Sequence, residues 1–104
     1  MKREYDKLVR DRIPEIIEKS GKRAVWRTLA EDEYLSLLDR KLDEELLEYR
    51  DGHDPEELAD LLEVLYAEAL ARGFDLSEIE RIRKRKAEER GAFQNRVLLE
   101  SVED

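Results

Sequence analysis

The chain has no cysteine, a single histidine, a single tryptophan and no long apolar run among its 104 residues. Without cysteine there is no disulfide framework and no thiolate-held zinc or iron–sulfur site. No apolar stretch approaches the ~20 residues needed to span a bilayer. The opening Met1-Lys2-Arg3-Glu4-Tyr5 lacks the apolar segment of a signal peptide. These absences predict a soluble, reducing, cytoplasmic setting with no membrane partner. There is no Gly-rich phosphate loop, no HExxH pair and no workable Ser/His/Asp set, so any chemistry must run through other groups. His53 stands beside Gly52 in a turn and reads as surface, neither catalyst nor ligand. No repeat, low-complexity tract or linker divides the chain, which predicts one domain over residues 1–104.

What the chain has in abundance is charge. Charged residues make up 46% of it, with 28 acids against 20 Lys and Arg and a net charge of −8. Leu, Ile, Val and Phe still number 28, enough for a folded chain with a modest core that a second copy would help to complete. The acidic total disfavours a nucleic-acid polymer as partner. The distribution is more informative: residues 1–27 carry nine bases and five acids, residues 31–51 nine acids and three bases, and residues 54–63 five acids and no base. Residues 81–90 return to base, with Arg81, Arg83, Lys84, Arg85, Lys86 and Arg90 against Glu88 and Glu89.

Local signals predict a mainly α fold centred on an antiparallel helical hairpin in a bundle of about four helices. Residues 12–20 read as a short helix with Pro14 in its first turn and Gly21 at its end. A second helix starts between Thr28 and Glu31 and reaches about Arg50, with Leu35, Leu38, Leu42, Leu46 and Tyr49 as its apolar stripe. Gly52 closes it, and Asp54 (N-cap) and Pro55 (first turn) open a third that runs to about Arg72, with Leu58, Leu61, Leu62, Leu65 and Ala69 inward. Asp75 and Glu78 cap a fourth helix ending near Arg90 and Gly91. The strand-favouring segments 23–29 and 93–102 predict a small two-stranded β element, with Trp26 and Phe93 as packing aromatics; stacking on a nucleotide base, which needs some apolar wall, stays open to both.

The two long helices each carry a carboxylate pair at i, i+3: Glu45 and Glu48, then Glu57 and Asp60. On an ideal helix the first pair lies roughly 60° and 120° from its apolar stripe, and the second roughly 100° and 160° from its own, in the same sense. Packed stripe to stripe about a two-fold, both pairs reach one side of the hairpin at the level of the turn. Four converging carboxylates suit a hard cation, and Mg²⁺ is the natural one because it leaves room for water and phosphate oxygens. Taken singly, these acids also have plain roles: Glu57 as part of a capping box, Glu57 and Asp60 as first-turn acids that meet the helix dipole, and Glu44 and Glu48 as solvated surface. A phosphate-bearing ligand would need bases. Arg83, Lys86 and Arg90 share one helix face at i, i+3, i+7, and Lys7 and Arg10 are further candidates. Each of these bases alone also suits a solubilising surface.

The run Lys41-Leu-Asp-Glu44-Glu45-Leu-Leu-Glu48 followed by Glu57-Leu-Ala-Asp60 resembles the EExxE…ExxD signature of the all-α nucleoside triphosphate pyrophosphohydrolases, the MazG and phosphoribosyl-ATP pyrophosphohydrolase-like superfamily. Tyr5-x-Lys7-Leu-Val-Arg10-Asp-Arg-Ile-Pro14 and Lys86-Ala-Glu-Glu-Arg90-Gly-Ala-Phe93 resemble a small branch of predicted house-cleaning hydrolases. The resemblance implies metal binding by Glu45, Glu48, Glu57 and Asp60, a supporting or water-assisting place for Glu44, and phosphate contacts from Lys86 and Arg90 and from Lys7 and Arg10. Two departures stand out: only eight residues separate Glu48 from Glu57, fewer than in many relatives, and Ala92 occupies a position that is usually glycine.

The expectation that follows is Mg²⁺-dependent hydrolysis of a small-molecule nucleotide, a non-standard nucleoside triphosphate, to monophosphate and pyrophosphate. Glu48 or Glu44 would accept the proton of water, and the bases would neutralise the leaving group. The resemblance also implies a homodimer or homotetramer. Phosphoribosyl-ATP is an alternative substrate, and a non-catalytic helical interaction module is the alternative of another class.

Overall fold

The computed structural model describes residues 5–104. They form four α-helices: α1 (Ile13–Lys19), α2 (Glu31–Gly52), α3 (Pro55–Ala71) and α4 (Leu76–Arg90). The chain divides into two compact units, the first ending at Gly73 and the second being Phe74–Asp104. In the first unit α2 packs against α3 as the expected antiparallel hairpin. No helix among the described residues is long and apolar enough to cross a membrane.

Local chemistry accounts for the helix ends. Asp54 Oδ1 accepts the N–H of Glu57 at 3.1 Å, and Pro55 occupies the first turn, where its missing N–H has no intrahelical partner to lose. The left-handed residue at the end of α2 is His53, with φ of 55°, not Gly52, which remains helical. Its ring meets Tyr49 edge to face at 5.1 Å, and its N–H bonds the Tyr49 carbonyl at 2.7 Å. α2 starts without a side-chain cap, since Ala30 has no acceptor to offer. Glu33 instead accepts the Ala30 N–H at 3.5 Å while Arg27 clasps its carboxylate. Asp75 caps α4 through Ser77, its Oδ1 accepting the backbone N–H at 2.9 Å.

The apolar stripe of α2 faces inward as its spacing predicts: Leu38 is 2% exposed, and Leu35, Leu42, Leu46 and Tyr49 are half-buried. On α3 the expectation fails in an instructive way. Ala69 is buried and Leu61 half-buried, but Leu58, Leu62 and Leu65 stay 47%, 47% and 46% exposed. Val64 is buried in their place, with Glu57, Asp60 and Glu68 half-buried on its side of the helix. α3 carries two apolar stripes, and α2 takes the one that includes Val64. The other runs through Leu58, Leu62, Leu65 and Tyr66 to Leu70. About half the circumference of α3 therefore carries no charge.

The β element is also corrected. Among the described residues neither 23–29 nor 93–102 is a strand. Val25, Val97, Leu98 and Val102 are largely exposed, and Trp26 and Phe93, expected to pack, are 65% and 95% exposed. A strand-favouring composition yields a strand only when a partner edge and a face to bury are supplied, because β propensity mostly records that environment.

Candidate metal centre

Rotating α3 by one stripe carries its acids from the flank of the hairpin into the seam. Glu57, Asp60 and Val64 lie within about 60° of one another on an ideal helix, so the side of α3 that buries Val64 also presents the two carboxylates. On α2, Glu45 lies only about 20° from Leu38 by the same geometry, and it is 6% exposed, the one buried charged residue among those described. Glu45 therefore meets Glu57 and Asp60 face to face.

Two carboxylate triads result. Glu45, Glu57 and Asp60 bring one oxygen each within 4.8 Å of one another across the two helices, and Glu44, Glu45 and Glu48 do so along α2. Glu45 belongs to both. The four acids selected from spacing thus divide: Glu45, Glu57 and Asp60 form one set, while Glu48 joins Glu44 and Glu45, close enough that its charge acts on both Glu45 and Glu57.

Glu45 Oε2 and Glu57 Oε2 are buried and accept no hydrogen bond. The capping-box explanation for Glu57 is half realised, because its N–H serves Asp54 but its own carboxylate is left unpartnered. Buried carboxylate oxygens without donors are costly. Burial pushes the Glu45 carboxyl above its ordinary value, the charges of Glu48 and Asp60 adding to it and Lys41 opposing it. Burial likewise raises Glu57, with the charges of Asp54, Glu48, Asp60 and Glu45 acting in the same direction. An all-oxygen set of this spacing, with vacant lone pairs on two members, fits a hard divalent cation.

Among the described residues three bases lie beside the acids. Lys41 Nζ lies 3.4 Å from Glu44 and 3.3 Å from Glu45. The signal for this residue was present in its i, i+3 and i, i+4 spacing, yet only the structure shows that it is mostly buried and serves the site. Lys7 Nζ bonds Glu44 at 3.2 Å, and Arg10 Nη2 bonds Asp60 at 2.8 Å while its Nη1 approaches Glu63 at 4.0 Å. Both bases therefore reach the carboxylates, where the sequence suggested only phosphate contacts. Burial alone would raise Glu44, but the Lys7 hydrogen bond and the charges of Lys41 and Lys7 outweigh it, so its carboxyl sits below the ordinary range. Lys7 is raised in turn, chiefly by that same bond.

Arg83, Lys86 and Arg90 belong to the second unit, where they are exposed and share one side of α4. Arg83 Nε is engaged by Glu80 at 3.0 Å.

A protein of Mycolicibacterium smegmatis (strain ATCC 700084 / mc(2)155), described only as uncharacterized, is 63% identical over 43 residues, which is 41% of this chain and 44% of that protein. The chain thus matches less than half the length of this relative. No protein-family model matches the chain, and no solved structure does.

Proposed function

We propose that the hairpin is the catalytic centre of a Mg²⁺-dependent pyrophosphohydrolase acting on a nucleoside triphosphate, as the resemblance to the MazG-like superfamily implies. The observation that carries this reading is the meeting of Glu45, Glu57 and Asp60 in the helical seam, with buried, unpartnered oxygens on Glu45 and Glu57. Glu68 Oε1 is likewise buried and unpartnered beside Arg72, so what sets the seam apart is the convergence of three carboxylates there. Glu45, Glu57 and Asp60 are the residues that would hold the ion, with Glu48 at the edge of the set. Bound there, Mg²⁺ supplies polarisation of phosphoryl oxygens and a more acidic water.

The side chains divide the remaining work. Glu44 is committed to Lys7 and Lys41 and stays ionised, which suits it to anchoring these bases. Glu48 is exposed and makes no ion pair among the described residues, so it is free to take the proton of the attacking water. Lys7 and Arg10 are the cations at hand to offset phosphate charge, and the resemblance assigns the same task to Lys86 and Arg90.

We also infer that two copies associate through the uncharged arc of α3. Among the described residues three apolar side chains are buried, few for a chain of this length. An apolar face free of charge can meet its own copy about a two-fold axis without repulsion.

Pyrophosphate release from a panel of standard, deoxy and damaged nucleoside triphosphates and phosphoribosyl-ATP, with and without Mg²⁺, tests the reaction. Mg²⁺-dependent release from at least one is expected, together with a rise in thermal stability on adding Mg²⁺ that Glu57→Gln abolishes. Stabilisation by ligand at ~100 times its Kd amounts to about 2.7 kcal/mol. Folded protein that neither gains stability from Mg²⁺ nor releases pyrophosphate would instead be a helical interaction module.

A further inference from the structure

Lys7 and Arg10 precede the short helix α1, which starts at Ile13, in a segment with no helix or strand of its own. Their side chains tie residues 5–12 to the hairpin, and they go to different helices, Lys7 to Glu44 on α2 and Arg10 to Asp60 on α3. The segment therefore bridges the seam, and each base holds a member of a different triad. We propose that residues 5–12 are a cationic strap, with Lys7 and Arg10 serving as counter-ions to the carboxylates until a divalent cation replaces them and frees both bases for phosphate oxygens. The proposal rests on the reading of these carboxylates as a metal site.

Charge and distance support an exchange of this kind. Glu44, Glu45, Glu48, Glu57 and Asp60 face Lys7, Arg10 and Lys41, so an excess of acid remains while the strap is in place. Lys41 is fixed on α2 and mostly buried, whereas the Lys7 and Arg10 side chains are 43% and 57% exposed. Ion pairs that exposed are weak individually and are readily exchanged. An ammonium at 3.2 Å from its carboxylate cannot match the field of a divalent ion bound at about 2.1 Å. Once the acids are neutralised, the attraction holding the strap falls, and two flexible bases become available beside the ion. Their release makes cation binding precede phosphate binding, because the bases that greet the phosphate are otherwise occupied.

Three measurements on the full chain test the strap. The mobility of residues 5–12 in the wild-type protein, read by NMR relaxation, should rise on adding Mg²⁺. Calorimetry should show that Lys7→Gln/Arg10→Gln binds Mg²⁺ about tenfold more tightly, since two competing charges near the ion are removed. The same variant, loaded with Mg²⁺, should bind inorganic pyrophosphate about tenfold more weakly. Unchanged or reduced mobility, equal or weaker Mg²⁺ binding by the variant, or undiminished pyrophosphate binding overturns the strap while leaving the metal site intact. Absence of Mg²⁺ binding by both folded proteins overturns the metal site and the strap together.

Discussion

Lys41 Nζ lies 3.3 Å from Glu45 Oε1, while Oε2 of the same carboxylate is buried with no hydrogen-bond partner. One mostly buried base thus stabilises one side of a buried acid and leaves the other side available. Replacing Lys41 by Met should strand Glu45 without its cation and destabilise the metal-free protein by about 3 kcal/mol, the low end for breaking a buried pair. Mg²⁺ should recover more stability in this variant than in the wild type. Urea unfolding with and without Mg²⁺ measures both effects, and an unchanged midpoint would show that the pair carries no weight.

Glu45 also imposes a pH dependence, which Glu57 shares. Both are raised above the ordinary carboxylate value, first by burial. Between the ordinary value and the raised one, the folded chain holds protons that the unfolded chain has lost. Their contribution to stability is therefore complete below the ordinary value and is lost as pH rises through the raised one. Glu45→Gln should consequently stabilise the metal-free protein at neutral pH, an advantage that shrinks as the pH falls from the raised value to the ordinary carboxylate value and is gone below it. It should also lose the response to Mg²⁺. Thermal melts across a pH series with and without Mg²⁺ read this directly, and a variant less stable than wild type at neutral pH would contradict it.

Glu48 and Glu44 should separate kinetically. Glu48→Gln removes the free carboxylate and should lower kcat by roughly a hundredfold or more, with a folded protein and a smaller change in KM. Glu44→Gln releases Lys7, while Glu45 still holds Lys41, and should act mainly through KM. Steady-state kinetics on whichever triphosphate is hydrolysed distinguishes the two, and the opposite pattern would exchange their assignments.

The uncharged arc of α3 predicts the assembly. Leu62→Glu places a carboxylate in the middle of that arc and, in a symmetric pair, two of them close together. Dimerisation should weaken by at least about a hundredfold, the cost of burying unpaired charge, with helix content unchanged. Sedimentation equilibrium and circular dichroism check both halves, and a variant that stays as associated as the wild type moves the interface elsewhere.

Much of the architecture was legible because it is local. Asp54 and Pro55 start α3, Asp75 starts α4, and the leucines of α2 define one stripe with no competitor. Each depends on residues within a turn or two of one another. The acids of the site were legible for the same reason, since i, i+3 spacing places both members of each pair on one face.

What needed the tertiary structure was every choice between alternatives that are locally equivalent. α3 has two apolar stripes, and only packing against α2 decides that Val64 goes in while Leu58, Leu62 and Leu65 stay out. That choice moves Glu57 and Asp60 into the seam beside Glu45 and divides the four acids into two triads. Segments 23–29 and 93–102 have the composition of strands, but a strand is a pairing, and composition cannot supply the partner. Lys7 and Arg10 likewise reach Glu44 and Asp60 across separations of 37 and 50 residues, which no spacing rule encodes. The sequence by itself determined which residues are helical and which acids share a helix face, because backbone geometry repeats over a few residues. Which faces meet, and which charges meet with them, was decided only when the helices packed.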